Sequence, residues 1–413
     1  MMYIDSREHL IQIAYQEAAR VARLNACNIV FRGDNKLDFA PYIDGIKATG
    51  FPFEHWTAER LLANKWQIIS NRYYIDDDEN KMREIDIIAY KASSHGDFDL
   101  RTVIIISCKK SEQHNWAFLS RDANHGDPNS NWKPVHFWSD HKPLSYAVSR
   151  DSWAAKYHES VKDRGVKELF DQPDYDVFAF QEMFCEEGKK DKKLGASKGD
   201  FNIYASVLST IKAQLYEMSI RGNPARKVPA IYQFNLLCLA DAKFIRLHFR
   251  GDEILPAEVD SATHIARYLV KRNQIFARVL FSTKENFDAL LAQYEKLHNA
   301  NKKILVEQRD KFYERIERDT KRLDVLIDEF RASLRTALIL SENSPPYTQI
   351  LEASKSANLA WSDSEKKLKI LIDGVNIEID KFNVSSVHKR VAEILKKIYR
   401  YEGDFTFDED IPF

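Results

Sequence analysis

Residues 51–111 contain, in this order, two acidic residues and a lysine whose types could do chemistry together: Glu54, Asp86 and Lys109. Cleavage of a phosphodiester bond requires carboxylates that hold a divalent cation against the scissile phosphate. It also requires a cation, such as a lysine, that orients the attacking water and offsets the developing charge. These residue types therefore suit metal-dependent hydrolysis of a phosphodiester.

A helix and three strands are needed to bring these residues together. The patterns predict a helix at 53–64 and strands at 66–75, 83–90 and 101–108. The run Val103–Ile106 is typical of a strand that is covered on both faces. Because side chains alternate along a strand, Ser107 and Lys109 should project from one face at its end. Asp86, on a neighbouring strand, could meet them there.

This segment resembles the PD-(D/E)xK nuclease superfamily, and particularly its Mrr-like branch. The motifs that carry the resemblance are Gly-Phe-Pro-Phe-Glu at 50–54, Arg-Glu-Ile-Asp at 83–86 and Ser-Cys-Lys-Lys-Ser at 107–111. The resemblance covers residues 50–250 and implies a restriction-endonuclease-like α/β core, a mixed sheet flanked by helices. It further implies that Glu54, Asp86 and the backbone carbonyl of Cys108 are metal ligands and that Lys109 is the catalytic lysine. The implied cofactor is Mg²⁺ or Mn²⁺, hard ions that prefer oxygen ligands.

The sequence departs from the family pattern at Ser107, where the family normally has Glu. A hydroxyl is a weaker ligand than a carboxylate, so a further carboxylate could be needed. Glu112 and Asp122 are two candidates. Glu59 is a third, although its offset of five residues from Glu54 places it on a different face of the helix. The sequence does not choose among them.

The rest of the chain is predicted to add further modules around this core. The expected organisation is a helical arm at 1–49, a nuclease-like domain at 50–250 with an irregular insertion at 111–200, a helical region at 251–345, a hairpin-plus-helix module at 346–400 and an acidic tail at 401–413. Within it we expect helices at 6–23, after Asp200 and at 386–399, a strand pair at 228–239 and 243–249, and a hairpin at 368–379 about Asp373-Gly374. The apolar positions from 304 to 338 suit a solvated helical arm or a coiled-coil seam of a homo-oligomer.

Nucleic-acid contacts are harder to assign. Four lysines between 189 and 193 could bind phosphates, and Trp116, Trp132 and Trp138 could stack on bases, but a solvated loop and packing residues explain both equally well. The acidic turn at 76–79 suits a solvated turn, and the histidines at 114, 125, 136 and 141 lack the spacing of a zinc site. DNA as the substrate therefore rests on the family resemblance.

The C-terminus carries a second resemblance. The last six residues, Asp408, Glu409, Asp410, Ile411, Pro412 and Phe413, are similar to the acidic tip of bacterial single-stranded-DNA-binding proteins. In such a tip, a terminal Phe fills an apolar pocket, its free carboxylate pairs with a basic residue, and the acidic residues steer towards a positive rim. The resemblance implies docking to repair and replication proteins that recognise that tip. Alternatively, the acidic tail could block the chain's own basic groove.

Composition excludes several other classes. The 413 residues carry 61 basic and 62 acidic side chains, so the chain is not a uniformly basic nucleic-acid coat. The tail from 401 has five acidic residues and no Lys or Arg, which leaves +4 for the remainder. No signal peptide or membrane span is expected, and four scattered cysteines suit a reducing cytoplasm. We therefore expect a metal-dependent endonuclease in phage defence or DNA repair, or alternatively a non-cleaving nucleic-acid-binding adaptor.

Overall fold

The computed structural model describes residues 38–76, 80–185, 194–221, 227–270, 272–341, 346–373 and 378–409. The chain divides into two compact units, Met1–Thr49 and Gly50–Phe413. In the first unit the described part contains helix α1 (Ala40–Lys47), which begins with Pro41 in its first turn and buries no residue. The helix predicted at 6–23 lies outside the described residues.

The second unit contains most of the secondary structure. Its helices are α2 (Phe51–Ala63), α3 (Lys142–Val148), α4 (Trp153–Asp163), α5 (Phe201–Ser219), α6 (Phe287–Tyr313), α7 (Thr320–Val325), α8 (Ile327–Ile339), α9 (Tyr347–Ser356) and α10 (Ser385–Tyr399). Its strands are β1 (Gln67–Asp76), β2 (Lys81–Ser94), β3 (Asp99–Lys110), β4 (His114–Asp122), β5 (His136–Ser139), β6 (Tyr175–Phe184), β7 (Ser197–Gly199), β8 (Ala230–Asp241), β9 (Phe244–Arg250), β10 (Glu253–Val259), β11 (Ser261–Val270), β12 (Asn273–Thr283), β13 (Asn358–Ser362), β14 (Lys367–Ile372) and β15 (Phe405–Glu409). The helices and strands predicted between 53 and 108 are confirmed as α2 and β1–β3, and α5 and α10 are also where we expected them.

The first sheet has the strand order β1-β2-β3-β8-β12-β11. Strands β1, β2 and β3 are antiparallel, whereas β8 is parallel to β3 and β12 is parallel to β8. Val103–Ile106 is buried on both faces, as predicted. One face packs against α2, α4 and α6 in a first core, and the other packs against α5 and a second sheet in a second core. The central strands are therefore covered on both sides.

The second sheet, in the order β10-β9-β4-β6-β7, takes three of its strands from the segment that was expected to be an irregular insertion. The segment is not irregular throughout, because β4, β6 and β7 lie between residues 111 and 200 and Trp116 and Phe118 are buried there. The two strands predicted at 228–239 and 243–249 are present as β8 and β9, but they do not pair with each other. Strand β8 lies inside the first sheet, and the turn after Asp241 takes the chain to β9, which pairs with β4 and β10.

The region from 251 to 345 is not wholly helical, in contrast to the prediction. It begins with β10, β11 and β12, where Ala277, Val279 and Phe281 are buried at a two-residue period. Helix α6 follows and packs on the first sheet. The apolar positions after 304 do not continue in one helical arm, because the chain turns at Arg315 (φ 50°). They do not form an exposed coiled-coil seam either, because α8 packs in a third core with α9 and α10.

Residues 316–409 form the C-terminal module, which has the three-stranded sheet β13-β14-β15. The predicted hairpin about Asp373-Gly374 was wrong. The hairpin is β13–β14, and Lys366, with a φ of 53°, lies in its turn. Asp373 follows β14, and residues 374–377 are outside the described part. A single local Asp-Gly signal was outweighed by the strand pattern on its N-terminal side.

The first part of the predicted acidic tail is a strand. Phe405–Glu409 is β15, which pairs in parallel with β14, and Phe407 is only 2% exposed. The two-residue spacing of Phe405 and Phe407 is the pattern of a half-buried strand, which the acidic composition had obscured. The residues of the tip from 410 onwards lie outside the described part.

These observations confirm a mixed α/β class with helices flanking a mixed sheet. Within the described residues, no helix is long and apolar enough to cross a membrane. Cys108, Cys185 and Cys238 are free thiols.

Candidate active site

Asp86 lies at a break in the regular pairing of β2. The β2–β3 ladder ends at the pair Ile87–Ile106, and the β1–β2 ladder skips the position where Asn71 faces Asp86. Asn71 has a left-handed backbone (φ 53°), which Asn tolerates better than most residues. Ile85 packs in the second core and Ile87 in the first, although strand neighbours two apart normally share a face. The interrupted alternation directs the Asp86 side chain towards the end of β3.

Asp86 contacts three consecutive residues at the end of β3 through one carboxylate oxygen. The backbone N–H of Cys108 donates to Asp86 Oδ2 at 2.6 Å, and the Ser107 hydroxyl donates to the same oxygen at 3.4 Å. Lys109 Nζ lies 3.9 Å from that oxygen. Among the described residues, Oδ1 accepts no hydrogen bond. Asp86 is thus fixed through one oxygen, and the other is available to a ligand.

The side chains at the end of β3 alternate as predicted. Ser107 Oγ lies 3.3 Å from Ser206 Oγ on α5, and Cys108 Sγ donates to Thr57 Oγ1 on α2 at 3.7 Å. Ser107 therefore faces α5 and Cys108 faces α2. Lys109 shares the face of Ser107, and its side chain remains partly exposed. Ser206 and Thr57 were not predicted, because their approach depends on helix packing.

Glu54 lies half-buried in the first turn of α2. Burial, and next the charge of Asp86, raise the pKa of the Glu54 carboxyl, whereas Lys109 acts in the opposite direction. Burial also raises the pKa of Asp86, despite the opposing effects of Lys109, the Cys108 N–H and the Ser107 hydroxyl. Both carboxyls therefore have raised pKa values, and a cation bound beside them would stabilise their ionised forms.

The other candidate carboxylates are not close partners of Asp86. Glu59 is exposed on α2. Glu112 pairs with Lys110 at 2.5 Å, and Asp122, on the second sheet, pairs with His248 at 3.1 Å. Cys108 lies beside Leu239 of β8, and the role of its carbonyl as a ligand stays a prediction. Among the described residues, no group of three or more His, Cys, Asp or Glu side chains is placed to hold a metal ion.

Glu84 is an acidic residue that our sequence reasoning missed. It precedes Asp86 by two residues on β2, and its charge contributes to the raised pKa of both Asp86 and Glu54. Asn71 Nδ2 donates to Glu84 Oε1 at 2.6 Å, so the left-handed residue opposite Asp86 also holds Glu84. The two-residue spacing in Arg-Glu-Ile-Asp was the available signal, although it required the strand register to be interpreted.

The tryptophans suggested for base stacking are engaged in packing. Trp116 is fully buried. The indole N–H of Trp132 donates to the carbonyl of Asn124, and Trp138 packs edge-on against Tyr232 with ring centroids 5.8 Å apart. The suggested lysines from 189 to 193 lie outside the described residues. Trp116 is therefore inaccessible to a ligand, whereas Trp132 and Trp138 are half-buried and their suggested role stays a prediction.

Asp76, which was predicted to lie in a solvated turn, is only 2% exposed. Lys212 Nζ on α5 donates to Asp76 Oδ2 at 2.7 Å, and Arg83 Nε lies 3.8 Å away. This buried ion pair fastens the outer end of the β1–β2 hairpin to α5. Residues 77–79 lie outside the described part.

Two residues of the predicted docking tip belong to β15. Lys369 Nζ donates to Asp408 Oδ2 at 2.8 Å, which lowers the pKa of Asp408. Glu409 is the register partner of Ile372. Asp408 is thus engaged within the C-terminal module.

Comparison of the chain with family models, with curated proteins and with solved structures gave no match. Fold and site define a mixed α/β protein in which a carboxylate of α2, a carboxylate of β2 and a lysine at the end of β3 are electrostatically coupled.

Proposed function

We propose that the chain is a metal-dependent nuclease of the PD-(D/E)xK type that hydrolyses phosphodiester bonds in DNA. The observation that carries this proposal is the meeting of Asp86, at the break in the pairing of β2, with Lys109 at the end of β3, and the electrostatic coupling of the half-buried Glu54 carboxylate to both. Residues distant in sequence rarely converge in this combination without a chemical role.

The order of the elements supports the same proposal. Helix α2 is followed by the antiparallel strands β1–β3, and helix α5 then leads to β8, which is parallel to β3. These are the helix, the three strands and the later helix and strand that the sequence patterns predicted, with β4–β7, α3 and α4 lying between β3 and α5. The candidate residues lie where that core is expected to carry its active site.

Each side chain has a distinct part in the proposed chemistry. The Cys108 N–H fixes one oxygen of Asp86, and the Ser107 hydroxyl supports it, so the carboxylate is oriented before substrate arrives. Lys109 is partly exposed and can donate a hydrogen bond to an attacking water or to a phosphate oxygen. Its positive charge offsets the charge that develops on the phosphoryl oxygens.

Asp86 and Glu54 would hold a divalent cation such as Mg²⁺ or Mn²⁺. Their raised pKa values fit this role, because a cation would offset the repulsion between them. A bound metal of this kind supplies Lewis-acid stabilisation of the phosphate and lowers the pKa of water.

A second candidate function is a nucleic-acid-binding adaptor that does not cleave. The observation in its favour is Ser107, which takes the position of a family carboxylate, together with the finding that the described residues contain no three-ligand group. In this case Asp86 and Lys109 would remain as a structural pair.

A nuclease assay separates the two functions. Wild type, Asp86→Ala and Lys109→Ala would be incubated with Mg²⁺ or Mn²⁺ on single-stranded DNA, duplex DNA and RNA. We expect each substitution to lower the cleavage rate at least about 100-fold. Asp252→Ala is the matched control, because it removes an exposed carboxylate in the turn between β9 and β10 that has no place in the proposed site. Equal cleavage by all four proteins would refute the proposed site, and no cleavage by wild type would favour the adaptor.

We also propose that the tip docks on proteins that recognise the tail of single-stranded-DNA-binding proteins, as its sequence suggests. Because Asp408 is engaged by Lys369, the residues from 410 to 413 would carry this contact. Deleting those four residues should abolish binding to such a protein in a pull-down. Unchanged binding would contradict docking, whereas faster cleavage by the deleted chain would favour autoinhibition by the tail.

A further inference from the structure

Strand β8 changes its partner near its middle, and a cavity lies at this fork in the first sheet. It pairs with β5 up to Phe234 and with β12 from Leu236 onwards. Parts of these three strands, of α6 and of the loop after α4 line the cavity, which we call the fork cavity. About 20 Å³ of it is wide enough for water-sized atoms, which is room for a group of a few atoms but not for a nucleoside.

Two buried nitrogen atoms of residues that line the fork cavity have no hydrogen-bond partner among the described residues: Arg278 Nε of β12 and His136 Nε2 of β5. The other nitrogens of the Arg278 guanidinium donate to backbone carbonyls, those of Asp171 at 2.9 Å and Trp132 at 3.3 Å. Within the part of the chain that the structure describes, Arg278 forms no ion pair. The Asp171 carboxylate acts on its charge but pairs with Lys162 at 3.5 Å. Because buried charges are normally paired, this guanidinium suits a bound anion.

The surroundings of the cavity are electropositive. Burial lowers the pKa of the Arg278 guanidinium to about 10, because no ion pair offsets its desolvation. Beside the cavity, His158 Nδ1 of α4 donates to the carbonyl of Phe170 at 3.2 Å. Burial, and next the charge of Arg278, lower the pKa of His158 to about 4, and Lys133 and Lys162 act in the same direction. Three cationic side chains thus act on one buried position, and such a field favours an anion.

His136 determines which anion fits. Its ring makes a hydrogen bond to the backbone of Phe276, and burial lowers its pKa to about 4, so the ring is neutral near pH 7. Since Nε2 has no partner among the described residues, Nδ1 makes that bond and keeps the proton, and Nε2 presents a lone pair. This lone pair requires a donor on the ligand, whereas Arg278 Nε–H requires an acceptor. Hydrogen phosphate has an O–H group and charged oxygens, whereas sulfate has no proton to donate near neutral pH.

We propose that the fork cavity binds inorganic phosphate, which accepts a hydrogen bond from Arg278 Nε–H and donates its O–H to His136 Nε2. This inference goes beyond the proposed function and does not depend on it. A phosphomonoester fits less well, because its second pKa is about 6 and it has lost its last proton at about pH 8. The free ion is therefore the expected ligand.

Calorimetry on the full chain with three anions tests this assignment. Phosphate, sulfate and glycerol phosphate would be titrated at about pH 8 and at equal ionic strength, after dialysis into a buffer that contains none of them. We expect phosphate to bind at least about tenfold more tightly than the other two, which is the usual effect of one hydrogen bond to a charged group. Phosphate should also raise the unfolding temperature more than sulfate does, and the comparison removes the general stabilising effect that both salts share.

Two variants separate the roles of the two side chains. Arg278→Gln removes the cation and should weaken phosphate binding between about 10-fold and about 100-fold. His136→Phe keeps a ring and removes the acceptor, so phosphate should lose its advantage over sulfate. Arg272→Gln is the matched control, because Arg272 is exposed in the turn between β11 and β12, and it should bind phosphate like wild type. Circular dichroism would confirm that each variant folds.

Four results would overturn the proposal. They are no phosphate binding by wild type, equal affinities of wild type for phosphate and sulfate, an advantage of phosphate that survives in His136→Phe, or a loss in Arg272→Gln as large as that in Arg278→Gln. The first two need no variant, so the anion series decides the proposal even if Arg278→Gln does not fold. None of these measurements requires cleavage, so the outcome of the nuclease assay does not affect them.

Discussion

Replacing Phe407 by Ala should loosen the C-terminal module. Phe407 is 2% exposed in β15, and its ring lies 5.6 Å from that of Phe382. Asn383 fastens the same strand, since its Oδ1 accepts from Phe407 N–H at 3.0 Å and its Nδ2 donates to the Phe407 carbonyl at 3.1 Å. Removing a buried Phe side chain commonly costs about 3–5 kcal/mol.

Hydrogen exchange measures this loss in the module itself. Residues Leu368–Ile372 of β14 pair with β15, so their amides report on opening of the strand. If the amides exchange through a rapid opening equilibrium, about 3–5 kcal/mol corresponds to exchange that is faster by about two to four orders of magnitude. Peptides from β1–β3 should be unaffected, because they belong to other cores.

The control is Glu409→Ala, which removes an exposed side chain from the same strand. It should leave exchange in β14 close to wild type. If Phe407→Ala also leaves β14 unchanged, then Phe405–Glu409 is not an integral strand, and the interpretation of the whole segment as a free acidic tail would be restored.

Three further predictions concern the ionised groups. Because the pKa values of Asp86 and Glu54 are raised in the folded state, their stabilising contribution is present below the unfolded pKa and is lost as pH rises through the folded pKa. Without divalent metal, Asp86→Asn should therefore unfold at a higher temperature than wild type at about pH 8, and the difference should vanish at acidic pH; a lower unfolding temperature at about pH 8 would contradict this. Glu84→Gln should weaken Mn²⁺ binding about sevenfold in calorimetry. Two residues along a strand span about 7 Å, and at that distance a unit charge interacts with a divalent ion by about 1.2 kcal/mol in water. Unchanged affinity would show that the charge of Glu84 does not act on the metal site. Lys212→Met should lower the free energy of unfolding by about 3 kcal/mol in urea titration, because Asp76 stays buried without its 2.7 Å partner, and an unchanged midpoint would show that Arg83 alone suffices.

The sequence was most informative where the pattern is local. The β-branched run at 103–106 predicted β3, and the order of Glu54, Asp86 and Lys109 identified the candidate site. Pairing between distant segments was not predictable in the same way. Strand β4 pairs with β6 and β9, which lie far along the chain, so its buried Trp116 and Phe118 looked like an irregular aromatic segment.

The exposure of individual side chains could not be predicted from the sequence pattern either. Trp116 was suggested for stacking and is buried, whereas Phe201, at the start of the helix predicted after Asp200, is exposed. The same limitation applies to Asn71, whose left-handed backbone matters only because the register places it opposite Asp86. Residue type gave the chemistry, but register and packing decided which residues can take part.

The surroundings of Ser107 argue that this position is adapted to a small hydroxyl. Ser107 is 1% exposed, and its Oγ lies 3.3 Å from Ser206 Oγ and 3.4 Å from Asp86 Oδ2. A Glu side chain there would have to displace α5, and overpacking of this kind costs about 1–3 kcal/mol. It would also bury another negative charge beside Asp86, whose pKa burial already raises. Any third carboxylate is better accommodated at the exposed rim, where Asn71 already holds Glu84. Serine at 107 is therefore compatible with a working site whose remaining negative charge comes from β2.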